Sequence, residues 1–504
     1  DPDGIAIVAG EARWTFGALV RAAERLAAAL VEQGVQPGDR VAIYAEKSPE
    51  VVVAILATSM AGGAFVNVNP LLKARQAEHI MRDCRVRLAV AEADKLAALG
   101  AAAPERAIVI GDLPPGVEGG RAWLRWDDVL ARDPAGVALP RVQERDMATI
   151  IYTSGSTGLP KGVVFSQRNV VAGAEIVATY LENTPEDRIL SVLPFSFDYG
   201  LNQLTTALLV GATLVLQRSA FPGDLLRALR EHEITGLAGV PPLWALLLQA
   251  SKDLEEQPLP ALRYITNSGG QIPAAHLAEL RRLLPTTQIY LMYGLTEAFR
   301  STYLPPSELH RGPTCIGRPI PNTDIWVVDE EGRMCGPGEV GELVHRGPTV
   351  SLGYWGKPEA TAEVFRPNPF APPELPHPEW VVYSGDLVCR DEDGYLHFVG
   401  RKDHLIKTQG YRVSPEEVED LLVGTGLVRE ACAFGLPDPD LGQQIVAVVV
   451  PRGDPAPTVE EIRRACLRAA PPYLVPKQIR IAPELPRTPS GKIDRQAVRD
   501  ANAG

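Results

Sequence analysis

Residues 152–162 read Tyr-Thr-Ser-Gly-Ser-Thr-Gly-Leu-Pro-Lys-Gly and follow the apolar, β-branched run Met-Ala-Thr-Ile-Ile that begins at Met147. The run predicts a buried strand. In the stretch that leaves it, Thr153, Ser154, Ser156 and Thr157 interleave with Gly155 and Gly158, and Lys161 closes the series. Glycines let a backbone approach a bulky anion, hydroxyls and free N–H groups donate to it, and a lysine supplies charge. Such a loop is suited to a polyphosphate. It differs from the Walker loop, which needs Gly directly before the Lys and Ser or Thr directly after it. Here Pro160 precedes Lys161 and Gly162 follows.

Working outward, strand-like runs such as 41–45 and 65–69 alternate with helical patterns at 14–33, 49–63, 72–83 and 224–233. That alternation predicts an α/β fold, with a large N-terminal domain of stacked, largely parallel sheets covered by helices. The proline-rich segment 366–379 reads as an irregular surface loop. After residue 403 the rhythm changes to a small α+β unit with strands near 431–435 and 445–450 and helices near 415–423 and 459–469. The expected domains are 1–402 and 403–504, the second mobile. Ser414-Pro415-Glu416-Glu417 predicts a helix start, with Ser414 as cap and Glu417 three residues on.

Bulk properties narrow the class. A chain of 504 residues exceeds one simple core. Its formal net charge of -12 opposes a nucleic-acid partner held through phosphate contacts. Cysteines 84, 315, 335, 389, 432 and 466 form no CxxC pair, which fits a reduced, cytoplasmic compartment. No signal peptide is legible in a chain that opens on Asp1, and the apolar segments 51–68 and 201–216 read as buried helix and strand, with no membrane span.

Five further stretches carry chemistry: Ser268-Gly269-Gly270; Tyr293-Gly294-Leu295-Thr296-Glu297; Tyr383-Ser384-Gly385-Asp386 with Gly400-Arg401-Lys402-Asp403; Lys407-Thr408-Gln409-Gly410-Tyr411-Arg412; and Pro489-Ser490-Gly491-Lys492-Ile493. Glu297 offers a hard oxygen donor, and Asp386 a carboxylate able to accept two hydrogen bonds. Together, and in this order, the stretches resemble the AMP-forming adenylate ligases: acyl-CoA synthetases, carrier-protein adenylation domains and luciferases. The resemblance implies ATP and Mg²⁺ as cofactors. It places phosphates at 153–158 and Lys161, adenine at Ser268, Gly269, Gly270, Tyr293 and Gly294, and ribose at Asp386 and Arg401. Thr296 bonds the α-phosphate, and Glu297 is the metal ligand. Asp403 becomes the hinge, Lys407 and Gly410 line a thiol tunnel, Arg412 contacts phosphate, and Lys492 is the mobile catalytic lysine. Where many relatives carry Asn two residues before the tyrosine, this chain has Leu291.

The implied reaction is attack of a carboxylate on the α-phosphorus of ATP, release of pyrophosphate, and transfer of the acyl group to a thiol, that of CoA or a carrier protein. An amine acceptor giving an amide, or an amino acid as the activated substrate, are the alternatives. Phe197, Asp198, Asn202, Trp244 and Phe299 fall where relatives wall the acid pocket. A buried Asp198 needs a cation or hydrogen bonds. Either the substrate brings an ammonium group or Asp198 braces the protein. The bulk of Trp244 favours a small or medium acid. Residues 197–208 and 292–306 also resemble the acyl-CoA ligases associated with bacterial exosortase systems. A non-catalytic nucleotide-binding scaffold would be expected to lack Lys492, Glu297 or Asp386, and all three are present; nothing positive favours a luciferase-type oxygenase.

Overall fold

A computed structural model describes residues 1–72, 74–113, 121–134, 136–153, 160–402, 406–408, 411–438, 442–470, 472–488 and 491–502. The chain divides into two compact units. The first comprises 1–313, 317–325 and 345–382, and the second 314–316, 326–344 and 383–504.

Parallel pairing dominates the first unit, as the strand–helix alternation predicts. One sheet runs in the order Ala122–Arg125, Arg106–Ile110, Leu88–Glu92, Arg40–Tyr44, Ala64–Asn67, Met147–Thr153, Lys161–Ser166, and only its last pair is antiparallel. Ile5–Ala9, Thr213–Leu216, Arg188–Ser191, Gly236–Gly239, Tyr264–Asn267 and Gln288–Tyr293 pair in that order in a second sheet, all parallel. The largest apolar cluster lies between the two. It joins Ile43, Phe65, Ile151 and Phe165 of one sheet to Ile7, Ile189 and Leu214 of the other, with Leu19, Leu26, Val52, Leu201 and Leu204 from intervening helices. Separate clusters lie on the outer faces, under helices Ala74–Asp83 and Ala93–Leu99 on one side and Pro222–Glu231 and Ala274–Leu283 on the other.

Local chemistry explains the helix bounds. Helix Phe16–Glu32 starts where the Thr15 hydroxyl accepts the Ala18 N–H, and the chain leaves it through Gly34 at φ 82°. Segment 201–216 resolves into the end of helix Asp198–Val210 and strand Thr213–Leu216. The proline-rich segment is not wholly irregular: Phe365–Pro367 pairs antiparallel with Trp380–Val382 before the chain loops out.

In the second unit, Val428–Asp438 and Gly442–Pro451 form a long antiparallel hairpin, flanked by Ile406–Thr408 with Tyr411–Val413 and by the parallel strand Gln478–Ile481. Helices Pro415–Gly424, Val459–Ala469 and Arg495–Asn502 pack on it. Ser414 caps its helix as expected, but its hydroxyl takes the Glu416 N–H and donates to the Glu416 carboxylate, so Glu417 is not the partner. A full capping box sits instead at Thr458 and Glu461.

Arg495 anchors the last helix. Its guanidinium donates to Glu419 at 2.7 Å and Glu416 at 2.9 Å, while the Glu419 carboxylate also accepts the Ala433 N–H. Removing one partner of such a half-buried cluster strands the others, at a cost of about 3–5 kcal/mol. Arg495→Met is therefore expected to lower the denaturant midpoint of the second unit and leave that of the first in place. Hydrogen exchange resolved by segment checks it, and equal loss of protection in strands 5–9 and 428–438 would contradict it.

Candidate active site

The phosphate-loop stretch leaves strand Met147–Thr153 and returns along Lys161–Ser166, with Thr153 and Lys161 as register partners. Ser154, Gly155, Ser156, Thr157 and Gly158 lie outside the described residues. Gly162 is required at the return: a Cβ there would stand 2.6 Å from Ile150 and 3.1 Å from the Tyr152 ring.

A segment that sequence reasoning missed docks alongside. Leu352 N–H bonds the Val164 carbonyl, Val164 N–H the Gly353 carbonyl and Trp355 N–H the Gly162 carbonyl, so 352–355 runs as an irregular strand beside Lys161–Ser166. This carries Tyr354 to the Lys161 ammonium, which lies 5.5 Å from its ring centroid. The Tyr354 hydroxyl donates to Glu297 Oε1 at 2.6 Å, and Ser351 N–H bonds the Glu297 carbonyl. Lys161 and Glu297, read from two separate motifs, thus share one aromatic neighbour. Tyr354 had no flag in the sequence, because its partners are set by pairing between distant segments.

Glu297 lies on the 3₁₀ turn Thr296–Ala298, after strand Gln288–Tyr293. Gly294 packs tightly on the far end of this turn: a Cβ would meet the Phe299 carbonyl oxygen at 2.9 Å and Arg300 Cα at 3.0 Å. Phe299 has φ 61° and ψ −62°, and the Arg300 N–H reaches back to the Ala298 carbonyl at 2.7 Å. This is a left-handed γ-turn, a rare and strained conformation for a side-chain-bearing residue. The Phe299 ring does not face an open pocket. It is buried in the inter-sheet core, edge-on to Phe165 and tight over Gly173. Beyond the turn, buried His345 touches Ser301 Oγ through Nδ1 and Thr349 Oγ1 through Nε2.

Ser268-Gly269-Gly270 follows strand Tyr264–Asn267, with Gly269 at φ 78°. Asn267 spans this turn: its amide donates to the Gly270 carbonyl and its oxygen accepts from Trp244 Nε1 at 2.8 Å. Trp244 is fully buried in the outer-face cluster beneath Gly239, so it supports the turn from behind.

Phe197 and Asp198 open helix Asp198–Val210, where the helix dipole favours the carboxylate. Gly200 is obligatory, since a Cβ would fall 2.1 Å from the Pro194 carbonyl oxygen. Asn202 points with Gln203 and Thr206 into a small internal cavity bounded by Tyr199, Tyr264 and Met292. Among the described residues, Asn202 Nδ2, both Gln203 amide atoms and Thr206 Oγ1 have no protein partner, a lining suited to enclosed water.

The remaining candidates belong to the second unit. Asp386 and Arg401 are register partners on antiparallel strands and their side chains pair at 3.1 Å. Gly385 N–H and Lys402 both bond Glu342. Lys407 and Arg412 face each other across Ile406–Thr408 and Tyr411–Val413; their side chains, with Asp403 and Gly410, lie outside the described residues. Lys492 is exposed on a loop closed by the Thr488 N–H to Lys492 carbonyl bond. Arg487 clamps that loop, bonding the Gly491 carbonyl and Glu430.

Among the described residues no three His, Cys, Asp or Glu side chains cluster as a metal cage. A single carboxylate, Glu297, suits Mg²⁺, which is commonly held by one or two carboxylates plus phosphate oxygens and water. No described helix is long and apolar enough to cross a membrane.

A stacked α/β unit with a glycine-rich, lysine-closed strand turn, followed by a small α+β unit bearing an exposed loop lysine, defines a nucleotide-handling enzyme class. Residues 1–355 match the model of the AMP-binding enzyme family, and 417–492 that of the AMP-binding enzyme C-terminal domain. The chain belongs to this family of adenylate-forming ligases. It is similar to ATP-bound MatB from Rhodopseudomonas palustris, with a TM-score of 0.88 at 28% identity over 100% of this chain and 96% of that one. It is also similar to o-succinylbenzoate CoA synthetase from Bacillus subtilis in complex with its acyl-adenylate intermediate, with a TM-score of 0.85 at 26% identity over 100% and 96%. Among curated proteins it is 32% identical, over 99% of its own length, to tyrocidine synthase 3 of Brevibacillus parabrevis and to delta-poly-L-ornithine synthetase of Acinetobacter baumannii. It spans only 7% and 35% of those proteins.

Burial holds the His345 pKa down to about 3. Between about pH 6.5 and 3 the unfolded state takes up a proton that the folded state refuses, so stability falls as pH falls through that window, by about 1.4 kcal/mol per unit. His345→Gln is expected to flatten the acid limb of a stability–pH curve by one proton. An unchanged limb in urea titrations at successive pH values would contradict this.

Proposed function

We propose that the chain activates a carboxylic acid as its acyl adenylate and then passes the acyl group to a thiol, that of CoA or a carrier protein. The observation that carries the reading is the convergence of Lys161 and Glu297 on Tyr354, beside the turn that bears the glycine-rich loop. The solved relatives titled as a CoA ligase and a CoA synthetase support a CoA acceptor, and the resemblance to carrier-protein adenylation domains keeps a carrier-protein thiol as the other acceptor.

No protein nucleophile is needed, because the substrate carboxylate is ionised at neutral pH. The protein's work is positioning and charge stabilisation at the transferring phosphoryl group. Lys161 and the hydroxyls of 153–157 hold phosphate oxygens, Thr296 bonds the α-phosphate and Lys492 brings a further positive charge. Tyr354 fixes the rotamer of Glu297. Glu297 would hold Mg²⁺ together with the substrate's phosphates, and the ion would supply charge neutralisation on the polyphosphate. Tyr293 stacks on adenine, and Asp386 with Arg401 takes the ribose. Domains divided near Asp403 would exchange Lys492 for Gly410, Lys407 and Arg412 between the two half-reactions.

A panel of acids tested for ATP–pyrophosphate exchange decides the activity; silence from every acid would overturn it. Lys492→Ala is expected to depress adenylate formation by about a hundredfold or more, and to spare reaction of a supplied acyl adenylate with thiol. Equal losses in the two half-reactions would contradict alternating roles. Tyr354→Phe is expected to cost about tenfold in exchange by freeing Glu297, with a weaker response to Mg²⁺ titration; an unchanged response would remove Tyr354 from the scheme.

A further inference from the structure

Arg300 is 2% exposed and among the largest fully enclosed side chains of the protein. Its Nη1 donates to Ser268 Oγ at 2.7 Å, and its guanidinium carbon lies 4.7 Å from the Tyr199 ring centroid. Tyr199 is itself fixed by its hydroxyl contacts with Thr266. Nε and Nη2 of Arg300 have no acceptor among the described residues. A buried guanidinium with two idle donors is costly unless an anion joins it.

The idle pair is specific. Nε–H and Nη2–H lie along one edge of the guanidinium and point the same way. That edge matches the two oxygens of a carboxylate. The other edge is spent on Ser268, and the face is covered by Tyr199. The strained γ-turn at Phe299 is what sends Arg300 here, three residues after Glu297, between the Ser268 turn and the start of helix Asp198–Val210. In the ligase reading these elements serve as the adenine loop and the wall of the acid pocket.

We propose that Arg300 is the specificity residue of the acid pocket, and that the acid activated is a dicarboxylic acid whose second carboxylate docks on Nε and Nη2. The inference rests on the ligase reading above. One carboxylate is adenylated and the other stays ionised, held by the fork. A chain of methylenes or an apolar body joins them, since Tyr199 offers an aromatic wall.

The test is ATP–pyrophosphate exchange with pairs of acids matched in carbon number, one monocarboxylic and one dicarboxylic, on wild type, Arg300→Lys and Arg300→Met. Wild type is expected to favour the dicarboxylic acid of one chain length by about a hundredfold in kcat/KM, the scale of a buried bidentate charge pair. Arg300→Met is expected to lose that preference, chiefly through KM, while monoacid activity holds or rises; Arg300→Lys should restore part of it. Exchange by wild type with monoacids at least as good as with diacids overturns the inference alone, whatever the variants do. Equal losses on both acids in Arg300→Met assign the residue to bracing and also overturn it. No exchange with any acid overturns the ligase reading and this inference with it.

Discussion

The bond from the Arg300 N–H to the Ala298 carbonyl closes a turn of three residues, and the chemistry of the first unit is arranged around it. On one side Glu297 is sent to Tyr354 and thereby toward Lys161. On the other Arg300 is sent inward to Ser268 and Tyr199. The strain is sustained because the Phe299 ring is locked in the inter-sheet core against Phe165 and Gly173, so packing energy holds the turn shut. His345 then fastens the exit through Ser301.

Unlike charges are kept apart by these connections. Glu297 is bonded to a neutral hydroxyl, and Lys161 meets the face of the same ring. Neither is neutralised by a direct ion pair with the other among the described contacts. In the ligase proposal, a polyphosphate and its metal would meet groups that have been oriented without being consumed. In the second unit the opposite holds, since Asp386 already has Arg401 beside it. In the ligase proposal, a ribose diol there would share that carboxylate with the guanidinium.

Much of this was legible in the sequence, and the parts that were not have a common cause. Helical and strand periods gave away the α/β architecture, and Ser414 marked a helix start by local chemistry, whereas the Thr15 cap was not read because the helical pattern ran through it. Thr153 and Lys161 could be named from the glycine- and hydroxyl-rich stretch itself, and Glu297, Asp386 and Arg401 because the stretches that carry them resemble a family's motifs in that family's order. Tyr354 and Arg300 were invisible because nothing local distinguishes a buried Arg between Phe and Ser from a solvated one. Only the pairing of 352–355 with Lys161–Ser166, and the burial of 299–301, reveal them. Trp244 was read as pocket bulk because size alone was considered. Its indole N–H goes to Asn267, and that partner places it behind the turn.

The close approach of Gly200 to the Pro194 carbonyl has a bearing on how such a protein can change over time. With no room for even a methyl group, the opening of helix Asp198–Val210 and the chain at 193–197 behave as one casting. The helix cannot slide along the chain at 193–197 without breaking that seam. Change along this stretch falls to the side chains that line the small internal cavity, at 199, 202, 203 and 206, with the seam left in place. New preferences would arise there by respelling a few letters, with the scaffold left as it stands.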